Sequence, residues 1–286
     1  MSTFTIRMLT EADIPAGMRL KRAAGWNQTE ADWRRTIDLQ PDGCYAGLCD
    51  GSVVATLTHC VFGRVAWIAM VLTDPAFRGR GFASRLLERA LADLRERGIE
   101  SIRLDATELG RPVYEKFGFA VDFELQRWDG IATAGERAEI PNDAKLRDAR
   151  ADDLPAIVEL DRRASGCDRG KFLARLQADE SFPGVIAECS GLPVGFVLQR
   201  QGELAVQIGP LGATNEATAE HLLRNSLDRT CGRRTYVDLK SGDVALSLVL
   251  QSAGLGVKRT FQRMTLGTKI TEFDTSTWIS SGPEKG

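Results

Sequence analysis

Between an apolar run, VAWIAMVLT at 65–73, and a segment of helical periodicity lies Arg78-Gly79-Arg80-Gly81-Phe82-Ala83-Ser84. It holds two guanidinium groups and two glycines, with no acid among them. A strand that enters a helix through such a turn leaves several main-chain N–H groups pointing one way, at the positive end of the helix dipole. Glycine lets that main chain close around a phosphate where a Cβ would obstruct it, and arginine adds charge-assisted hydrogen bonds. The chemistry on offer is anion binding. Two common nucleotide loops do not fit: a Walker loop ends in Gly-Lys-Ser/Thr, and the dinucleotide fingerprint needs a glycine where Ser84 stands.

The elements that must hold this turn are legible around it. FTIRML reads as a strand, and Thr10 to Asp13 has capping-box spacing before a helix running toward Gly25. Thr29 to Asp32 is a second such box, opening a helix that stops before Pro41-Asp42-Gly43. CYAGLC and SVVATLTHC flank Asp50-Gly51, a hairpin signal. VAWIAMVLT is the strand that feeds the turn. Leu86, Leu87, Ala90, Leu91 and Leu94 fall on one face of the helix after it, and Gly98 suits its C-terminal cap. IESIRLDA, a short helix around 112–117 and the strand FAVDFELQRW complete the order β-α-α-β-β-β-α-β-α-β.

The second half repeats the first. At a shift of 140 residues Asp13-Ile14-Pro15-Ala16 meets Asp153-Leu154-Pro155-Ala156, Cys49 meets Cys189, and WIAMVLT overlies QIGPLGA. The expected organisation is a first domain over 1–135, a second over 145–270 and a tail over 271–286 that reads as a loose terminus. The seam falls in 131–144, which is rich in small and polar residues.

Of 286 residues, 43 % are apolar and 27 % charged, and the net charge is −2, enough to build real cores without a polyelectrolyte face. Acids interleave with Lys and Arg and the isoelectric point is near 5.9, which argues against nucleic acid as a partner. No apolar run approaches membrane length, and the opening MSTFTIRMLTEAD lacks the regions of a secretory signal, so a cytoplasmic protein is expected. Six cysteines without CxxC spacing and only two histidines give no reason to expect a metal or a disulfide framework.

Arg78-Gly79-Arg80-Gly81-Phe82-Ala83 resembles the R/Q-x-x-G-x-G/A signature of the GNAT superfamily of acetyltransferases, at its place after the fourth strand. Val113-Tyr114-Glu115-Lys116-Phe117-Gly118-Phe119 resembles that superfamily's L-Y-x-K-x-G-F signature. The likeness covers roughly residues 3–130; a weaker one, through GPL at 209–211 and FQRMTLG at 261–267, extends it to a tandem-domain subfamily. The resemblance implies an α/β fold: two tandem domains, each a mostly antiparallel mixed sheet flanked by helices. It implies acetyl-CoA as co-substrate, with its pyrophosphate on the amides of Arg78, Gly79, Arg80, Gly81, Phe82, Ala83 and Ser84. Its pantetheine would run beside Val71, Leu72 and Thr73. Acetyl would pass directly to an amine, and Tyr114 would protonate the departing thiolate, a role suited to a phenol near pKa 10.

The acceptor side is less determined. By the same resemblance the loop Gly25-Trp26-Asn27 flanks the acceptor, with Trp26 as an aromatic wall. His59 and Asp105 are further candidates there, and the general base stays open among His59, Asp105, Glu30, Asp32 and water. The acceptor would be a small-molecule or peptide amine and the protein a monomer or homodimer. The alternative is a non-catalytic acyl-CoA sensor or scaffold; Tyr114 argues against it, because binding alone needs no acid.

The second copy has lost the features that matter. Its offset slips from 140 to 136 at Leu222-Leu223, so four residues are missing at the turn. Thr214-Asn215-Glu216-Ala217 stands there, with an acid opposite Arg80 and no glycine, and Leu250 replaces Tyr114. This copy is expected to keep the fold without binding CoA. Asp161, Gly166 and Arg169 are its candidate contributions to the acceptor cleft.

Overall fold

The computed structural model describes residues 3–134, 144–178, 184–270 and 277–282; most of the seam, 135–143, lies outside them. The first half runs β1 (Phe4–Met8), α1 (Ile14–Ala23), α2 (Glu30–Leu39), β2 (Cys44–Cys49), β3 (Ser52–Phe62), β4 (Val65–Thr73), α3 (Phe82–Glu96), β5 (Ser101–Ala106), α4 (Arg111–Lys116) and β6 (Ala120–Ile131). The second repeats it as β7 (Lys145–Asp148), α5 (Leu154–Ser165), α6 (Gly170–Gln177), β8 (Gly184–Cys189), β9 (Leu192–Gln201), β10 (Val206–Ala213), α7 (Glu216–Arg229), β11 (Arg234–Lys240), α8 (Val244–Ser252) and β12 (Gly256–Gly267). A last strand, β13 (Thr277–Ile279), follows.

Local chemistry explains the boundaries. Thr29 and Asp32 form a reciprocal capping box at the start of α2, with the Thr29 N–H donating to Asp32 Oδ2 at 2.7 Å. The Asp50-Gly51 and Ser190-Gly191 turns close equivalent hairpins, β2–β3 and β8–β9. On α3 the leucines 86, 87, 91 and 94 are all buried, each contributing roughly 2 kcal/mol of apolar transfer.

Among the described residues the strands form one continuous sheet in the order β1-β2-β3-β4-β5-β12-β6-β11-β13-β10-β9-β8-β7. The two halves exchange their closing strands. β12, from the second half, pairs antiparallel with β5 of the first, while β6 pairs antiparallel with β11 of the second. β6 and β12 pair with each other at the centre. The α3 and α4 face of the first half has its own core, as does the α7 and α8 face of the second. A third core is shared, joining Trp33, Met18 and Trp67 to Leu160, Phe172 and Phe196.

Two buried ion pairs sit at the exchange. Arg263 of β12 meets Asp105 of β5 at 2.5 Å, and Arg127 of β6 meets Asp238 of β11 at 2.6 Å. The two arginines occupy equivalent positions in the repeat, so the joint is pseudo-symmetric.

The tail departs from the expectation of a loose terminus. Thr277–Ile279 is a strand inside the sheet, and Ser280 and Ser281 are buried; residues 271–276 and 283–286 lie outside the described residues.

Candidate functional site

The turn after β4 is held from both sides. The Asp74 carboxylate accepts from the Ala76 N–H at 3.0 Å, opening a short 3-10 turn over Pro75–Phe77. Phe82, the first residue of α3, stacks on Phe4 with ring centroids 4.0 Å apart and is buried. Between these anchors Gly79 and Gly81 have φ of +75° and +76°, the left-handed region that disfavours a side chain. A Cβ at either would meet nothing within 4 Å, so the space before the turn is open. Among the described residues the main-chain N–H groups of Gly79, Arg80 and Gly81 have no hydrogen-bond partner. Arg78 and Arg80 are exposed, and the Arg80 guanidinium lies 4.9 Å from the Phe77 ring centroid. Orphan donors at a helix N-terminus beside two cations suit a di-anion such as a pyrophosphate.

β4 leads away from this cradle with two irregularities. Thr56 opposes Leu72 and Thr58 opposes Ala69, so Leu57 faces both Met70 and Val71 across a bulge. Met70 takes φ +49°, unusual for a non-glycine residue, and its carbonyl accepts from the Thr56 hydroxyl at 2.8 Å. Beyond Trp67 the parallel pairing of β4 with β5 ends, and among the described residues no strand lies between them. The two strands part, and Val71, Leu72 and Thr73 border the opening. Met70 is a feature that sequence reasoning missed: nothing in a methionine's chemistry marks a left-handed bulge.

Tyr114 stands on α4, just past the end of β5, and shares an apolar cluster with Phe82 and Leu86 of α3. Its ring lies edge-on to Phe119 at 5.9 Å, and it is 8 % exposed. Burial raises its phenol well above the usual range, so the hydroxyl stays protonated at neutral pH.

Three of the four acceptor-side candidates are committed elsewhere. The Asn27 amide is buried and clamps the β9–β10 hairpin, accepting from the N–H groups of Leu204 (2.9 Å) and Ala205 (3.0 Å) and donating to the Ala205 carbonyl (3.1 Å). It ties one half to the other. His59 faces α3, with Nε2 3.2 Å from Asp93, which lies roughly 16 Å along the helix from Phe82. Burial pushes its imidazole down to about 4, with Asp93 opposing, so it is neutral at physiological pH. Asp105 is bound by the Arg263 guanidinium, which in turn lies 4.4 Å from the Trp67 ring centroid. Trp26 alone stays partly exposed, packed on the shared core.

Of the other acids, Asp32 is buried against Arg35 and Arg200, both at 2.8 Å; burial opposes ionisation, but the two cations hold its carboxyl below the usual range. Glu30 is exposed beside Arg34. Arg263 was not among the sequence candidates, although the Gln-Arg pair recurring at 126–127 and 262–263 was a readable signal.

Among the described residues the second half presents no such cradle. Asn215 caps α7 with its own side chain, accepting from the Thr218 N–H at 2.9 Å, and Glu216 is the first helical residue. Leu250 is fully buried where the first half has Tyr114. Asp161 and Arg169 are buried against each other at 2.5 Å, and Gly166 caps α5 in the left-handed conformation.

Residues 14–119 match a family model described as acetyltransferase (GNAT) family, and residues 157–278 match one described as acetyltransferase (GNAT) domain. Holothin acyltransferase of Pseudoalteromonas sp. (strain SANK 73390) is 23 % identical over 234 residues, 81 % of this chain and 77 % of that protein. Glucosamine 6-phosphate N-acetyltransferase of Trypanosoma brucei brucei is 30 % identical over 122 residues, 42 % of this chain and 82 % of that protein. A crystal structure of a putative acetyltransferase from Pyrococcus horikoshii shares the fold with a TM-score of 0.83 at 23 % identity, over 99 % of this chain and 96 % of that one. A tandem GNAT protein from the clavulanic acid biosynthesis pathway shares it with a TM-score of 0.65 at 12 % identity, over 94 % of this chain and all of the other.

Proposed function

Because the chain belongs to the GNAT acetyltransferase family, with two such domains in tandem, we propose that it transfers acetyl from acetyl-CoA directly to an amine, with the donor held by the first half alone. The observation that carries this reading is that, among the described residues, the left-handed glycine cradle with unpartnered N–H groups and the open parting of β4 from β5 coincide only there. The bulge at Met70 lies between them; β10 has a similar register shift against β9 between Ile208 and Leu211, but the parting beside it is filled by β13.

In this reading the donor's pyrophosphate lies on the amides of Arg78 to Ser84, and its pantetheine follows Val71 to Thr73 into the parting. The thioester then arrives beside the bulge. Tyr114, held neutral by burial, protonates the departing thiolate, for which a positioned acid gives roughly 10²–10⁴-fold. His59, Asp32 and Asp105 are engaged with protein partners and Glu30 pairs with Arg34 on the surface, so in this reading water carries the amine's proton away. The acceptor is a small-molecule or peptide amine reaching the cleft past Trp26. No helix among the described residues is long and apolar enough to cross a membrane.

Calorimetric titration with acetyl-CoA tests the placement, comparing the full chain with a variant carrying Arg80→Glu and Gly81→Glu. One saturable site, lost in the variant, is the expected result, because two carboxylates then face the pyrophosphate. A site that survives would put the donor elsewhere, and no binding to either chain would favour the scaffold alternative.

A further inference from the structure

The two halves part their sheets at equivalent places, but only one parting stays open. β10 pairs with β11 in parallel over Val206–Ile208 and Thr235–Val237, as β4 pairs with β5 over Val65–Trp67 and Ser101–Arg103, and then the strands separate. In the second half β13 enters the gap. It pairs antiparallel with β10, Leu211 to Ala213 opposing Ile279 to Thr277, and Ile279 also opposes Leu239 of β11. The Ser280 N–H donates to the Asp238 carbonyl at 3.0 Å, continuing the contact along β11. Ile279 is fully buried in the second half's core, and Ser280 is fully buried beside it.

The slot is shaped for this segment. Gly209, which overlies Ala69 of the first half in the repeat, has φ +133°, and a Cβ there would collide with the Ser280 carbonyl. The room that Ser280 occupies exists because position 209 lacks a side chain. A strand inserted between two others gains main-chain hydrogen bonds on both sides, with side-chain pockets setting its sequence preference.

We propose that the parting of β10 and β11 is a binding slot for an extended peptide, and that its resident ligand is the chain's own segment 277–282. It stands where the first half would receive the pantetheine arm, an equivalence that rests on the donor placement argued above. The second half is thereby closed by its own tail and stays assembled without a cofactor, while the first half's parting remains available to the donor. Ile279 supplies the side-chain anchor and Gly209 the clearance.

Hydrogen exchange on the full-length chain without acetyl-CoA tests the slot directly. Amides of 211–213 and 277–280 should exchange at least about 100-fold more slowly than an unstructured peptide. Free exchange at 277–280 would overturn the proposal. Gly209→Ala should release protection at 277–280 while leaving β2–β3 unchanged, and protection equal to the parent's would count against it. In full-length Ile279→Asp, a fluorescent peptide TSTWISSG should bind saturably and at least about tenfold tighter than to the parent, whose slot is filled. No preference for the variant would again overturn it. None of these readouts involves acetyl-CoA, so failed donor binding would remove the catalytic reading and leave the slot standing.

Discussion

Tyr114 carries a proton in this scheme because of where its ring lies, between Phe119 and the helix that begins at the cradle. Removing only its oxygen keeps that packing. Tyr114→Phe should lower kcat by roughly 10²-fold or more, with acetyl-CoA affinity held within about twofold by calorimetry. Unchanged turnover would take the acid role away from this residue. His59 offers a second test, in stability. Its imidazole is fully buried and titrates near 4 when folded against 6.5 when unfolded, so the native state binds its proton less readily than the unfolded one. Stability is therefore complete above pH 6.5 and falls as pH drops toward 4, by about 3 kcal/mol from this group. His221 is shifted the same way, so only the comparison with a variant isolates the share of His59. Urea melts at pH 7 and pH 4.5 should show a smaller loss in His59→Gln than in the parent; equal losses would mean that His59 is not the proton acceptor.

At the level of elements, the exchange of β6 and β12 places Arg263, from the second half, in the floor of the first. The side chain of its partner Asp105 is 1 % exposed, so removing the guanidinium strands a buried carboxylate. Arg263→Ala should cost about 3–5 kcal/mol in denaturant melts, and adding Asp105→Ala should recover part of that loss. Purely additive effects would show the pair to be uncoupled. The elements themselves were largely legible beforehand. The capping box at Thr29, the hairpin at Asp50-Gly51 and the leucine face of α3 are local signals, and local signals survive in a single sequence. The cradle was legible for the same reason, its glycines and arginines being contiguous. The strand exchange was not, because an antiparallel partner one domain away leaves the same alternation as a partner next door. Nor did the sequence reveal that Asn27, His59 and Asp105 are engaged by Ala205, Asp93 and Arg263. Each partner is a long-range contact, invisible until the chain is folded. The β13 slot escaped notice because a three-residue strand carries almost no periodic signal.

For the molecule as a whole, crossed closing strands and a shared core bind the halves into one cooperative unit. Neither half completes its sheet from its own sequence: β5 needs β12, and β11 needs β6. Asn27 in the β9–β10 hairpin, Asp32 against Arg200 and Trp33 in the common core add contacts that break only if both halves open. Tandem domains joined by a simple linker would instead melt separately, and a ligand of one would stabilise that one alone. Scanning calorimetry of this chain should give a single transition with a van't Hoff to calorimetric enthalpy ratio near about 1. Acetyl-CoA at about 100 times its Kd should then move the whole transition, by the equivalent of roughly 2.7 kcal/mol, although the cradle belongs to the first half. Two transitions, with only one responding to the donor, would show that the crossed strands do not couple the halves. A single shifted transition would mean that a donor held at the first half's cradle, as proposed, stabilises the second half as well.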